Sequence, residues 1–251
     1  MLRGMVRGLV AALAAAASVA FISKPALAGM YTNDFSTGVG AATLNGNAAY
    51  SATDGTVHLT EAVNGQAGTL ILPDLDPGQA VKSFTADFDV ATGPGTSPPA
   101  DGISFNFGKQ TSTSNYGEEG INPGIVFEMD TYNNTAGEAG VDLIVNGAEI
   151  VHHPEVSAFT NGNFVHVHAA LHADGTADFT FNGTSIASAV ATGYTPAAGD
   201  LFGFGGRTGG LNEVNRIDNV SIATTVPEPA AVGMLGALLA ATLLRGRRQR
   251  V

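Results

Sequence analysis

Residues 124–134, GIVFEMDTYNN, set Glu128 and Asp130 two places apart in an otherwise apolar run and follow them with two asparagines. Alternation along a strand sends Ile125, Phe127 and Met129 to one face and Val126, Glu128, Asp130 and Tyr132 to the other. Carboxylates at i and i+2 on one face lie only ~6–7 Å apart. Once partly buried, they do not both stay charged without a counter-charge or a shared proton. Asn134 and the backbone carbonyl of Tyr132 add neutral oxygens, and a mixed set of carboxylate, amide and carbonyl oxygens suits calcium. The competing reading of the same residues is a solvated acidic strand face.

Charge balance bears on that choice. Residues 29–225 hold four basic side chains, Lys82, Lys109, Arg207 and Arg216, against 21 acidic ones, a net charge of −17 where the whole chain carries −11. With so few basic partners, a metal ion is the more available counter-charge. The same field repels nucleic acid and anionic lipid, which argues against a nucleic-acid partner.

The elements that must position these residues read as strands. At 251 residues, with 33 glycines, no cysteine and no tryptophan, the chain fits one all-β domain without disulfides. Alternating runs such as KSFTADFDVAT, GISFNFG, VDLIVNG and NFVHVHAALHA recur between Gly, Asp and Asn turns. Asp174-Gly175 and Asn182-Gly183 are signals for two-residue hairpins between period-2 segments. Many strands around one core predict an antiparallel β-sandwich over residues 29–225.

Both ends lie apart from this domain. Residues 1–28 open with Arg3 and Arg7, continue through an apolar run and end in Ala-Leu-Ala, the pattern of a cleaved export signal. Residues 226–251 combine Pro-Glu-Pro, about fifteen apolar residues and a terminal arginine cluster. This tripartite tail resembles the PEP-CTERM sorting signal of Gram-negative bacteria. The resemblance implies a temporary membrane anchor, recognised by an exosortase and cut near Pro-Glu-Pro, on a protein of the cell envelope or exopolysaccharide matrix.

Several internal segments also match one family in order: LNGNA, VHLTEA, SFTADFDV, ADGISFNFG, VFEMDTYNN and GFGGRTGG. Over residues 31–223 the chain resembles the L-type, legume-lectin-like lectins of the concanavalin A-like superfamily. The resemblance implies a jelly-roll sandwich that binds a polysaccharide or glycan. It implies that Asp101 accepts hydrogen bonds from sugar hydroxyls and that Asn134 donates to the same sugar. A backbone amide would come from the loop holding Gly117 and Gly120, and the segment Arg207, Thr208 and Gly209 would close the pocket. Glu128, Asp130, the Tyr132 carbonyl and Asn134 match the metal ligands. The sequence departs from the family after Asn134, where a longer loop usually supplies an aspartate and a histidine. Here Glu138 would complete a calcium site, Asp142 is a weaker substitute because it begins the next strand, and a histidine-dependent transition-metal site is not expected.

The superfamily also contains glucanases, whose retaining mechanism needs a nucleophile and a separate acid/base carboxyl ~5–5.5 Å apart. Laminarinase-like members place both on one strand as Glu-x-Asp-x-Glu or with one more spacer, and Tyr132 or Asn133 stands where that third carboxylate belongs. The expectation is therefore no enzyme. His166 and His168 share one strand face and His152-His153 form a pair, without Cys or Asp at metal-site spacing, so they read as polar filler. Three functions stay open, in order: a calcium-assisted carbohydrate-binding protein, a structural matrix protein that has lost sugar binding, and a glucan hydrolase.

Overall fold

The computed structural model describes residues 26–154 and 160–227; most of the expected export signal, and the expected sorting tail beyond Pro227, lie outside the described residues. Along the described chain run β1 (Ala26–Asn33), β2 (Thr43–Gly46), β3 (Ala49–Ser51), β4 (Thr56–Thr60), β5 (Ala67–Ile71), β6 (Ser83–Gly95), β7 (Gly102–Gly108) and β8 (Gly124–Asp130). They are followed by β9 (Val141–Val145), β10 (Ala148–His153), β11 (Val165–Leu171), β12 (Thr176–Phe181), β13 (Thr184–Ala191), β14 (Leu201–Arg207) and β15 (Glu213–Val226). No helix occurs among the described residues.

Two antiparallel sheets face each other, as the alternating runs predict. One has the order β13-β12-β11-β6-β15-β4-β3, with β1 also paired to β15, and the other the order β10-β9-β8-β7-β14-β5-β2. Strand β15 is long enough to pair with β4 along Asn215–Ile217 and with β1 along Val220–Val226.

The core between the sheets is built from the inward positions of each strand. Phe84 sits 5.0 Å from both Phe107 and Phe202, Phe88 sits 4.9 Å from both Phe105 and Phe204, and Phe127 packs edge-on to Phe179 at 5.2 Å. All are essentially buried, and each ring contributes about 1.5–3 kcal/mol by leaving water. These tilted and edge-on pairs suit the ring quadrupoles, which disfavour face-to-face sandwiches.

The hairpins refine one expectation. Asn182 and Gly183 form a two-residue turn with φ of 47° and 79°, joining Phe181 to its partner Thr184. The Asp174-Gly175 turn is one residue longer than expected. His172 N donates to Thr176 O and Gly175 N to His172 O, leaving Ala173, Asp174 and Gly175 as the loop, with Gly175 at φ 84°. A turn followed by a left-handed glycine is the next hairpin solution, and the Asp-Gly pair serves it equally well.

Candidate functional site

Strand β8 delivers Glu128 and Asp130 to the outer face of the seven-stranded sheet, while Ile125, Phe127 and Met129 enter the core. The alternation read from sequence holds, but the face is not solvated: Glu128 is 8 % exposed and Asp130 6 %. The loop of residues 109–123 lies across it. Tyr116 packs over the glycines of β14, where a Cβ at Gly205 would meet Tyr116 Cε2 at 2.6 Å and one at Gly203 would meet its hydroxyl at 2.5 Å. The tyrosine hydroxyl donates to Gln110 (2.7 Å), whose amide donates to the Leu201 carbonyl (2.7 Å). Ser104 donates to the Gly117 carbonyl (2.8 Å), and Asn106 accepts from the Ile121 amide (3.1 Å). The glycines thus make room for a loop that carries Glu118 and Glu119 to Glu128.

After Asp130 the chain leaves the sheet. Asp130 Oδ1 accepts from the Tyr132 amide (2.8 Å), Asn133 Oδ1 accepts from Gly137 (3.1 Å) and Ala139 (2.9 Å), and Glu138 Oε2 accepts from the Thr135 amide (2.6 Å). Asp130 and Gly140 exchange backbone hydrogen bonds and close the loop. Its anchor to the rest of the molecule is Thr131, whose amide donates to Asp101 O (2.9 Å) and whose hydroxyl donates to the fully buried Glu213 (2.7 Å).

A tight turn at Asn146 and Gly147, with φ of 52° and 76°, folds β10 back onto β9. The register sets Asp142 opposite Glu128 and His152 opposite Asp142, and His152 Nδ1 lies 2.7 Å from Asp142 Oδ1. Sequence reasoning missed β10 as a strand and so missed Glu149 and His152. The signal was present in the Asn-Gly pair, an ordinary hairpin mark.

These elements enclose a cavity of about 200 Å³ walled by Glu118, Glu119, Glu128, Asp130, Glu138, Asp142 and Glu149, with Asn134 and Ile144. None of its lining residues is basic. Burial, with the neighbouring carboxylates adding to it, pushes Glu128 up to about 9 and Asp130 up to about 7. Burial likewise raises Asp142 to about 6 and Glu118 to about 7, even though His152 and Arg207 respectively pull them down. Such a set attracts protons or cations, and its carboxylates with the Asn134 amide are hard oxygen ligands.

A second cavity, of about 290 Å³, is lined by Ala100, Asp101, Tyr132, Asn134, Arg207, Gly209, Gly210 and Leu211. Asp101 follows a cis peptide at Ala100, and its amide donates to Arg207 O (3.0 Å). Asn134 belongs to the walls of both cavities. The structure therefore brings together Asp101, Tyr132, Asn134, Arg207 and Gly209 on one side, and Glu128, Asp130, Asn134 and Glu138 on the other.

Three of the residues singled out in sequence lie behind these walls. Thr208 is buried, donates to the Val63 carbonyl (2.7 Å) and accepts from the Gln66 amide (2.9 Å), which fixes its loop. Gly120 spends its amide on the Gly117 carbonyl and packs against Asn106 and Val126. Gly117 packs on the Arg207 side chain, where a Cβ would fall 2.7 Å from Arg207 Cβ. His166 and His168 lie on the outer face of the other sheet, paired with Asp89 (3.0 Å) and Asp87 (2.8 Å).

In sequence, no family model and no curated protein matches the chain. Solved structures do match its fold. The lectin of Bauhinia forficata, in complex with GalNAc, superposes with a TM-score of 0.64 at 19% identity over 78% of this chain and 98% of its own. Basic winged bean lectin with Tn-antigen gives a TM-score of 0.64 at 20% identity, covering 79% of this chain and 98% of that one. The calcium-bound exoplasmic/lumenal domain of VIP36 gives 0.61 at 15% identity over 80% of this chain and 92% of its own. The described chain thus has the fold seen in these legume lectins and in VIP36, a jelly roll of two antiparallel sheets.

Proposed function

We propose that this chain is an exported, non-catalytic carbohydrate-binding protein of the bacterial cell envelope or exopolysaccharide matrix, assisted by calcium. The observation that carries the reading is the shared position of Asn134, which walls both the all-acidic cavity and the cavity holding Asp101. A sugar accepted by Asp101 and a cation held beside Glu128 and Asp130 would meet at that one amide. Similar folds support the assignment, since the lectin structures carry GalNAc or Tn-antigen and VIP36 has been solved with calcium and mannose.

The residues present fit calcium. The donors of the Glu128 segment are all oxygen, the cavity offers no basic side chain, and Glu118 Oε2 is buried there without a partner. Glu128, Asp130, the Tyr132 carbonyl, Asn134 and Glu138 are the residues that would hold the ion. Calcium would supply a fixed positive charge that lets these carboxylates stay ionised and orders the loop carrying Asn134.

Export by residues 1–28 and exosortase processing of residues 226–251 belong to the same proposal. A glycan array read with calcium and again with chelator tests it: selective, calcium-dependent binding is the expected result. Silence on a broad array would favour a matrix protein without sugar binding, and release of oligosaccharide from the printed glycans would favour a hydrolase.

A further inference from the structure

We propose that Asp76 is a buried receptor for the α-ammonium group that export creates at Gly29, so that removal of residues 1–28 completes the fold. The proposal rests on the export reading above, which puts the cut after Ala28. Gly29 lies in β1, and its nitrogen donates to Thr224 Oγ1 (2.9 Å), while that hydroxyl donates to Asp76 Oδ2 (2.7 Å). A single hydroxyl thus stands between the nitrogen and the carboxylate. Asp76 is 4 % exposed, and its other oxygen, Oδ1, is buried without a partner. Among the described residues no Lys, Arg or His forms an ion pair with it. The carboxylate lacks a counter-charge and a second donor, and a charge buried in that state is costly.

The surroundings of Gly29 suit an amino terminus. No side chain has room at this residue, because a Cβ would fall 2.5 Å from the Leu75 carbonyl oxygen, so the chain passes directly against the loop that carries Asp76. That loop is held by its own bonds, Asp76 N donating to Asp74 Oδ1 (3.0 Å) and Gln79 N to the Asp76 carbonyl (2.9 Å). In the uncut chain Gly29 N is a neutral amide whose one hydrogen is already given to Thr224. Hydrolysis by a peptidase breaks the Ala28–Gly29 C–N bond: water gives its hydroxyl to the Ala28 carbonyl carbon and its proton to the Gly29 nitrogen. The new acid then ionises, and the amine takes up a proton to become an ammonium. Its three hydrogens serve both Thr224 and Asp76, and bonds between an ammonium and a carboxylate are about twice as strong as neutral ones. Gly29 is buried, so the cut acts before β1 docks on β15.

The test uses protein exported from the full chain, with N-terminal sequencing to fix its first residue. The wild type should begin at Gly29, and its terminal amine should resist succinimidyl acetate until the protein is unfolded in guanidinium. One serine inserted between Ala28 and Gly29 moves the ammonium off the site, and Asp76→Asn removes the acceptor charge. Each change should lower the melting temperature by roughly 6 °C or more, and the two together should lower it no further than either alone. Losses that add in the double variant would overturn the pairing, and so would an amine labelled equally fast in native and unfolded protein. If Asp76→Asn does not fold, the labelling and the serine insertion decide: an amine open to reagent, or an insertion without effect, overturns the proposal. Failure of the export reading shows separately, as a first residue other than Gly29, which removes the proposal with it.

Discussion

Arg207 Nε donates to Asp101 Oδ2 across 3.2 Å, and the far nitrogen of the same guanidinium, Nη2, donates to Glu118 Oε1 across 2.6 Å. One side chain therefore ties the cavity holding Asp101 to the wall of the all-acidic cavity and fixes the direction of the Asp101 carboxylate. If Asp101 accepts sugar hydroxyls, its bonds are charge-assisted, and truncation leaves those hydroxyls unpaired. Asp101→Ala should weaken glycan binding by roughly 2–3 kcal/mol, about 30- to 150-fold, with the melting temperature in calcium nearly unchanged. Calorimetry with an array-identified glycan reads the first quantity, and wild-type affinity in the variant would move the site elsewhere.

Asn134 and Asp130 should separate by phenotype. Asp130→Ala removes a carboxylate from the all-acidic cavity alone, so any rise in melting temperature that calcium gives the wild type should vanish. Asn134→Ala, at the border of both cavities, should lower both calcium and glycan affinity. A melting temperature equally responsive to calcium in the wild type and Asp130→Ala would remove the cation from this segment.

Stability should depend on pH in a direction that the buried carboxylates fix. Folding raises Glu128 from 4.5 to about 9, Asp130 from 3.8 to about 7 and Asp142 from 3.8 to about 6. Over that window the folded state binds more protons than the unfolded one, so unfolding free energy falls as pH rises. This stability is fully present below about pH 4 and is lost progressively as pH passes 6, 7 and 9. In chelator the melting temperature should drop between about pH 5 and pH 9, and calcium should flatten the drop by supplying the counter-charge. A chelated protein that grows more stable across that range would contradict the buried cluster.

Gly205→Ala tests the scaffold beneath the site. The added methyl would lie 2.6 Å from Tyr116 Cε2 and force the ring, with Glu118 two residues on, away from β14. Overpacking of this kind costs typically 1–3 kcal/mol. Chemical denaturation should show the loss, and calcium affinity should fall with it.

Protein recovered from the envelope should end near Pro229 and lack the terminal arginine cluster if residues 226–251 act as a processed tail. Mass spectrometry of mature material decides this, and an intact Val251 would indicate a permanent anchor.

Much of this architecture was legible in the residues. The period-2 alternation of β8 placed Phe127 in the core and Glu128 outside it, because side-chain direction along a strand is set locally. The burial of Glu128 was not legible, since it depends on the preceding loop, residues 109–123, folding back across the sheet onto glycines whose function emerges only once β14 lies beside β7. Asp142 and His152 were visible as residue types but not as neighbours. Their meeting needs the register of β8 with β9 and of β9 with β10, which no single run of sequence states. The resemblance implied an amide donor at Gly117 or Gly120; the close packing of Gly117 on Arg207 and of Gly120 on Asn106 and Val126 is a separate demand that only the folded neighbours reveal.

Strand β15 begins at Glu213, which accepts from Thr131 at the root of the loop after β8, and ends at Val226, paired with Ala26. Fourteen residues of extended chain span roughly 40 Å. Pro227 and the cavity lined by Gly210 and Leu211 therefore stand at opposite ends of one strand, so a pull applied at Pro227 would be carried along β15 to the segment that holds Thr131.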